Sequence, residues 1–171
     1  MSILIYAESA EGKIKKVAFE LASYAKKVAA SMGTTVTAVT INNSDNSALA
    51  AYGVDKVLNV SNDKLNNFSA KAYADVIAQA AKKEGTQIVL VSSTTDSLYL
   101  APLVAVALEA GYASNVVALP ESTSPFQVKR TAFSNKAFNI TEISTPVKVL
   151  GIAKNSFGLV EDAVSMTEEA F

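Results

Sequence analysis

Residues Gln87–Leu119 read QIVLVSSTTDSLYLAPLVAVALEAGYASNVVAL. Ile88, Val89, Leu90 and Val91 form an apolar, largely β-branched run without polar alternation, which predicts a strand buried on both faces. The hydroxyl-rich segment Ser92-Ser93-Thr94-Thr95-Asp96-Ser97 breaks that run. Leu98 to Glu109 then predicts a helix closed by Gly111, and Val116 to Leu119 a second apolar strand stopped by Pro120. Strand, turn, helix and strand, with both strands apolar throughout, is the pattern of a βαβ unit in a parallel sheet. Such units hold ligands at the carboxyl ends of their strands, so the turn at 92–97 is the first place to look for a site.

Toward the N-terminus the alternation continues. Ser2–Tyr6 is a short apolar strand and Ala7–Gly12 a turn. Ile14, Val17, Ala18, Leu21, Ala25, Val28, Ala29 and Met32 then recur at helical spacing, with Lys15, Lys16, Glu20, Lys26 and Lys27 between them. This predicts an amphipathic helix ended by Gly33. Val36–Ile41 and Lys56–Val60 are further strands, separated by a short helix at Ala48–Tyr52, and Ser69 caps a helix over Ala70–Glu84. The reading is an α/β fold: a three-layer α/β/α sandwich around a mostly parallel, Rossmann-like sheet of about five strands.

Beyond Pro120 the texture changes. Phe126–Phe133, Ala137–Ile143 and Val147–Ile152 are strand-like with no room for helices between them, and Ser134-Asn135-Lys136 is a natural hairpin turn. They predict an antiparallel extension along one sheet edge. After Lys154 every charged residue is acidic (Glu161, Asp162, Glu168, Glu169), so residues 155–171 read as a solvated tail or the start of a linker, and 1–154 as the α/β domain.

Composition narrows the chemistry. A chain of 171 residues, 50% hydrophobic and 18% charged, suits one globular domain of ordinary size. A net charge of −1 gives no electrostatic drive toward nucleic acid or an anionic membrane. With no His and no Cys, the chain has no Cys/His zinc site, no Cys nucleophile, no Ser-His-Asp triad and no disulfide. Its apolar run at Leu98–Leu108 falls short of the roughly 20 residues of a membrane span, and no signal or transit peptide is legible at the start. A bacterial-type cytoplasmic location without membrane insertion is the expectation.

The candidate residues each carry two readings. Ser92, Ser93, Thr94, Thr95 and Asp96 offer hydroxyls and N–H groups at a helix start, where a phosphate of a cofactor would be held. The same residue types are ordinary helix caps, and the absence of glycine argues against close backbone approach to a phosphate. The turn Ala7-Glu8-Ser9-Ala10-Glu11-Gly12-Lys13 stands where a glycine-rich phosphate loop belongs, but its two carboxylates repel phosphate. Pro102 either opens the third helix or kinks it. Arg130, alone among fourteen Lys, offers a planar fork for recognition across an interface, or is an ordinary edge-strand cation.

Several segments in order, SILIYAE, GKIKKVAFELASYAKKVA, ALAAYGVDKVLNVSN, YADVIAQAAKKEGTQIVLVSSTTDSLYLAPLVAVALEAGYASNVVAL and VKRTAFSNKAFNITEISTPVKVLGI, resemble the N-terminal half of the electron transfer flavoprotein alpha subunit. The resemblance implies a non-catalytic scaffold domain that docks a beta subunit as a heterodimer and supports an FAD domain shuttling electrons from flavin dehydrogenases. FAD itself would be bound mainly outside this chain, with none in these residues. The family's late hairpin usually carries A-G-N; here only Asn135 matches, which makes Asn135 with Arg130 the candidates for partner contact. The competing expectation is a free-standing adenine-nucleotide domain of the universal-stress type using the 92–97 turn. A third, an enzyme with Glu8 or Asp96 as base, lacks a nucleophile or metal to pair with them.

Overall fold

The computed structural model describes residues 2–171. In chain order it comprises β1 (Ser2–Tyr6), β2 (Ser9–Ala10), β3 (Lys13–Ile14), α1 (Lys16–Met32) and β4 (Thr35–Ile41). A 3-10 turn at Ser47–Tyr52 leads to β5 (Lys56–Val60) and α2 (Ala70–Glu84), followed by β6 (Ile88–Ser92), α3 (Thr95–Ala107) and β7 (Gly111–Val116). β8 (Ser122–Thr123), β9 (Phe126–Ala132), β10 (Ala137–Glu142), β11 (Lys148–Ile152) and β12 (Thr167–Ala170) complete the chain.

The main sheet runs β10-β9-β7-β11-β6-β1-β4-β5-β12, with β8 beside β9. All pairs from β7 to β12 are parallel, and β8, β9 and β10 are joined antiparallel. The three-layer, mostly parallel α/β sandwich expected from the sequence is therefore present. Period-two alternation sorts the core into two clusters. Ile3 and Ile5 of β1 pack with α1 on one face, while Leu4 and Tyr6 pack with α2 and α3 on the other. Gly33 and Gly85 end α1 and α2 in the left-handed conformation, at φ 63° and 59°.

Three expectations are corrected. Val147–Ile152 is not part of the antiparallel edge: β11 lies in the sheet interior, parallel to both β7 and β6. Val149 and Leu150 are fully buried, one toward each core cluster, which is what a central strand requires. The fifth strand begins at Gly111, not Val116, and α3 closes through Leu108 and Glu109, the latter at φ 50°. Gly111 is needed for contact and not for capping. A Cβ there would collide with Ile143 Cγ2 and lie 2.7 Å from Thr145 Oγ1. Its absence lets the 143–147 loop tuck against β7, with Gly111 N–H donating to Thr145 Oγ1 at 2.8 Å.

The third correction concerns residues 155–171, which do not run free in solvent. They form a strap across α1. Glu20 accepts backbone N–H bonds from Asn155, Phe157 and Gly158 at 2.9, 2.9 and 3.1 Å. Ser23 Oγ accepts from Val160 N–H and donates to Val160 C=O. The strap then follows the 3-10 turn and ends as β12, paired parallel to β5. Glu169 there pairs with Lys56 at 2.8 Å and with Lys83.

Candidate functional site

The strand order sets the location. From β1 the chain moves outward through β4 and β5, then returns to the other side of β1 as β6. The direction of winding thus reverses between β1 and β6, and the crevice beyond their carboxyl ends is where open α/β sheets bind ligands. Here it is a cleft of about 400 Å³ lined by Glu8, Lys15, Lys16, Val17, Thr94, Thr95, Asp96 and Lys154.

Two turns build it. After β1 the chain makes the small hairpin β2-β3, whose tip residues Glu11 and Gly12 both take positive φ, 52° and 72°. The hairpin replaces the expected simple turn and returns Lys15 toward Glu8. After β6, Thr94 caps α3: its Oγ1 accepts the N–H of Ser97 at 3.3 Å and donates to Glu8 Oε2 at 2.9 Å. Lys15 Nζ pairs with Glu8 Oε1. Glu8 is only 4% exposed, so its carboxylate is held by one hydroxyl and one ammonium at the mouth of α3. Tyr6, beneath it, has its phenol pushed far above the usual tyrosine range by burial first, and then by Tyr73, Glu8 and Asp96.

The side chains singled out in the sequence fall into distinct roles. Ser92 is buried at the end of β6 and donates to Val17 C=O at 3.2 Å. Ser93 continues the ladder through N–H to Ile152 C=O at 2.8 Å. Thr94 is the cap, Thr95 is exposed and Asp96 lies in the first helical turn, where a negative charge suits the helix dipole. Glu8 thus places a second carboxylate beside this helix start, bonded to the capping hydroxyl of Thr94. Pro102 lies inside α3, not at its start.

Arg130 and Asn135 are not brought together. Arg130, on β9, faces Val116 of β7 and donates from Nη2 to Ser114 Oγ at 3.1 Å, while its Nε is buried without an acceptor among the described residues. Asn135 sits exposed at the β9-β10 turn with φ 66°, a conformation that Asn tolerates better than most residues. Sequence reasoning missed two features. One is the Glu20 clasp, concealed because Glu20 follows the polar spacing of α1. The other is the outer surface of α3, where Leu98, Tyr99, Leu103 and Val106 are 59, 67, 41 and 77% exposed. The signal was present: α3 is apolar on every side, as in a helix covered all round.

Among the described residues no cluster of acidic side chains is arranged to hold a metal ion, and no helix is long and apolar enough to cross a membrane. Comparison with known proteins gives a consistent picture. The chain is 29% identical over 120 residues to the electron transfer flavoprotein subunit alpha of Clostridium acetobutylicum, covering 68% of this chain and 36% of that protein. It is 34% identical over 120 residues to the subunit of the same name in Thermoanaerobacterium thermosaccharolyticum, with the same coverage. It is also 24% identical over 172 residues to the acryloyl-CoA reductase electron transfer subunit beta of Anaerotignum propionicum, covering 99% of this chain and 43% of that protein. The chain thus spans less than half the length of these relatives. The family model described as the electron transfer flavoprotein domain matches residues 3–170, and the chain belongs to that family.

Proposed function

We propose that this chain is the non-catalytic α/β scaffold of an electron transfer flavoprotein, docking a beta-type subunit and supporting a separate flavin-bearing domain that takes electrons from flavin dehydrogenases. The observation that carries this reading is Glu8. The switch-point crevice, where a related sheet would seat a nucleotide, presents a buried carboxylate already held by Lys15 and Thr94.

What weighs against a flavin dinucleotide in this crevice is that Glu8 and Asp96 stand among its lining lysines and that the turn after β6 contains no glycine for close backbone approach to a pyrophosphate. The same conflict weighs against the adenine-nucleotide reading. On this proposal FAD is bound mainly by a separate domain. Docking is supported by the apolar outer face of α3, since a continuous exposed patch of this kind marks a contact surface. Arg130 and Asn135 remain the polar candidates for that contact.

Titration of the purified chain with FAD, AMP and ATP tests the assignment. The expected result is a colourless protein that shows no binding heat and no melting shift at millimolar nucleotide, a range in which even weak ligands register. Stoichiometric flavin on the chain alone, or micromolar nucleotide affinity, would overturn it.

A further inference from the structure

Arg130 is the only arginine in the chain, and the fold gives it no carboxylate. Among the described residues every ion pair is made by a lysine. The half-buried guanidinium meets one neutral hydroxyl, Ser114 Oγ at 3.1 Å, and its Nε is buried without an acceptor among the described residues.

The side chains around it are hydroxyls. Tyr112 stands beside the guanidinium: burial pushes its phenol above the usual tyrosine range, against the opposing pull of Arg130 and Ser114. Tyr112 and Ser114 also meet Ser93 across Gly151 of β11, where an added Cβ would lie 3.2 Å from Ser93 Oγ and 3.5 Å from both Ser114 Cα and Tyr112 Oη. The lack of a side chain at Gly151 lets these groups close in near the carboxyl ends of β6, β7 and β11.

This arrangement is donor-rich and short of an acceptor. A partly buried cation with an unused N–H is incompletely paired, a cost that an incoming anionic acceptor offsets. The acceptor that matches the planar fork of arginine is a carboxylate, two oxygens in one plane sharing a full negative charge. A lysine at 130 would serve Ser114 equally well, so the fork has no use within the chain itself. The hairpin that carries Arg130 shows where the carboxylate comes from. Phe133, Phe138 and Ile140 on it are 82, 62 and 52% exposed, an apolar surface that marks contact with another protein and that a free small acid would leave in water.

We propose that Arg130, flanked by Ser114 and Tyr112, receives the carboxylate of an Asp or Glu side chain of the beta-type subunit as a bidentate pair within that contact. The proposal rests on the docking role argued above and assigns its polar anchor.

Because Arg130 is the only arginine, its Nε–H gives a single signal in the proton–nitrogen spectrum of the labelled 171-residue chain. On adding unlabelled beta-type subunit, that signal is expected to move downfield and its exchange with water to slow at least about tenfold, as in a charge-assisted hydrogen bond. Arg130→Lys keeps the charge and loses the fork, and should raise the Kd for the subunit about tenfold by isothermal titration. Arg130→Met should raise it further and flatten its dependence on salt. If the wild-type chain binds the subunit while the Nε–H signal stays in place, or if Arg130→Lys binds as tightly as wild type, the anchor is overturned and the docking role stands. A wild type that ignores the subunit overturns both. Micromolar binding of acetate by the chain alone would assign the site to a free small acid and overturn the proposal as well.

Discussion

At the scale of single residues, two buried carboxylates do different work. Glu20 ties a remote segment down. Burial pushes its carboxyl up, but the N–H bonds from Phe157, Gly158 and Asn155 outweigh this and hold it below the usual carboxylate range. Replacing it by Ala leaves those N–H groups without their acceptor and should cost about 2 kcal/mol, a charged hydrogen-bond acceptor being worth more than a neutral one. Chemical denaturation, with hydrogen exchange at 155, 157 and 158, checks both the size and the place of the loss. Glu8 closes a site. Thr94→Ala removes the cap of α3 and one of Glu8's two partners, so a loss of about 1 kcal/mol is expected. Thr94→Ser keeps both bonds and should stay within a few tenths of wild type, as thermal melts would show.

At the scale of elements, the strap and β12 are the acid-sensitive part. Glu169 is lowered to about 2 by its hydrogen bonds and charge pairing with Lys56 and Lys83, and Glu20 is lowered as described. A carboxyl depressed in the folded protein adds stability that is complete above the ordinary carboxylate range and disappears as pH falls through the folded value. The strap should therefore exchange faster between about pH 4 and pH 2 while β1, β4 and β6 stay protected. Uniform loss across the sheet would contradict this. Lys56, raised by Glu169 and Glu84, works in the opposite sense, and its contribution fades only above the ordinary lysine range. The elements also show what the sequence could reveal. β1, α1, β4, β5, α2 and β6 were legible because their apolar periods are clean. β11 was misplaced because KVLGI carries no mark of its neighbours; its place depends on long-range burial beside β6 and β7. The site was half legible. The hydroxyl-rich turn announced a cap, but no local pattern shows that Glu8, 86 residues away, reaches Thr94. Likewise Glu168 and Glu169 read as solvated because their lysine and asparagine partners lie on β5, on α2 and just before the 3-10 turn.

At the scale of the whole molecule, the sheet keeps a buried carboxylate in the wall of its switch-point crevice and leaves one helix face apolar. If that face meets a beta-type subunit, Val106→Glu on α3 should weaken the complex at least tenfold without lowering the melting temperature, because Val106 is 77% exposed and supports little of the core. Isothermal titration of wild type and variant against the subunit would read the change. The central claim is that this chain contributes a docking platform and no redox group. The most direct measurement is to combine the purified chain with a flavin-free beta-type subunit and record both the mass of the complex and its absorbance after incubation with FAD. A one-to-one complex with no flavin bound by the chain's own residues is the expected result; a chain that takes up FAD alone and ignores the subunit would contradict the docking-platform role.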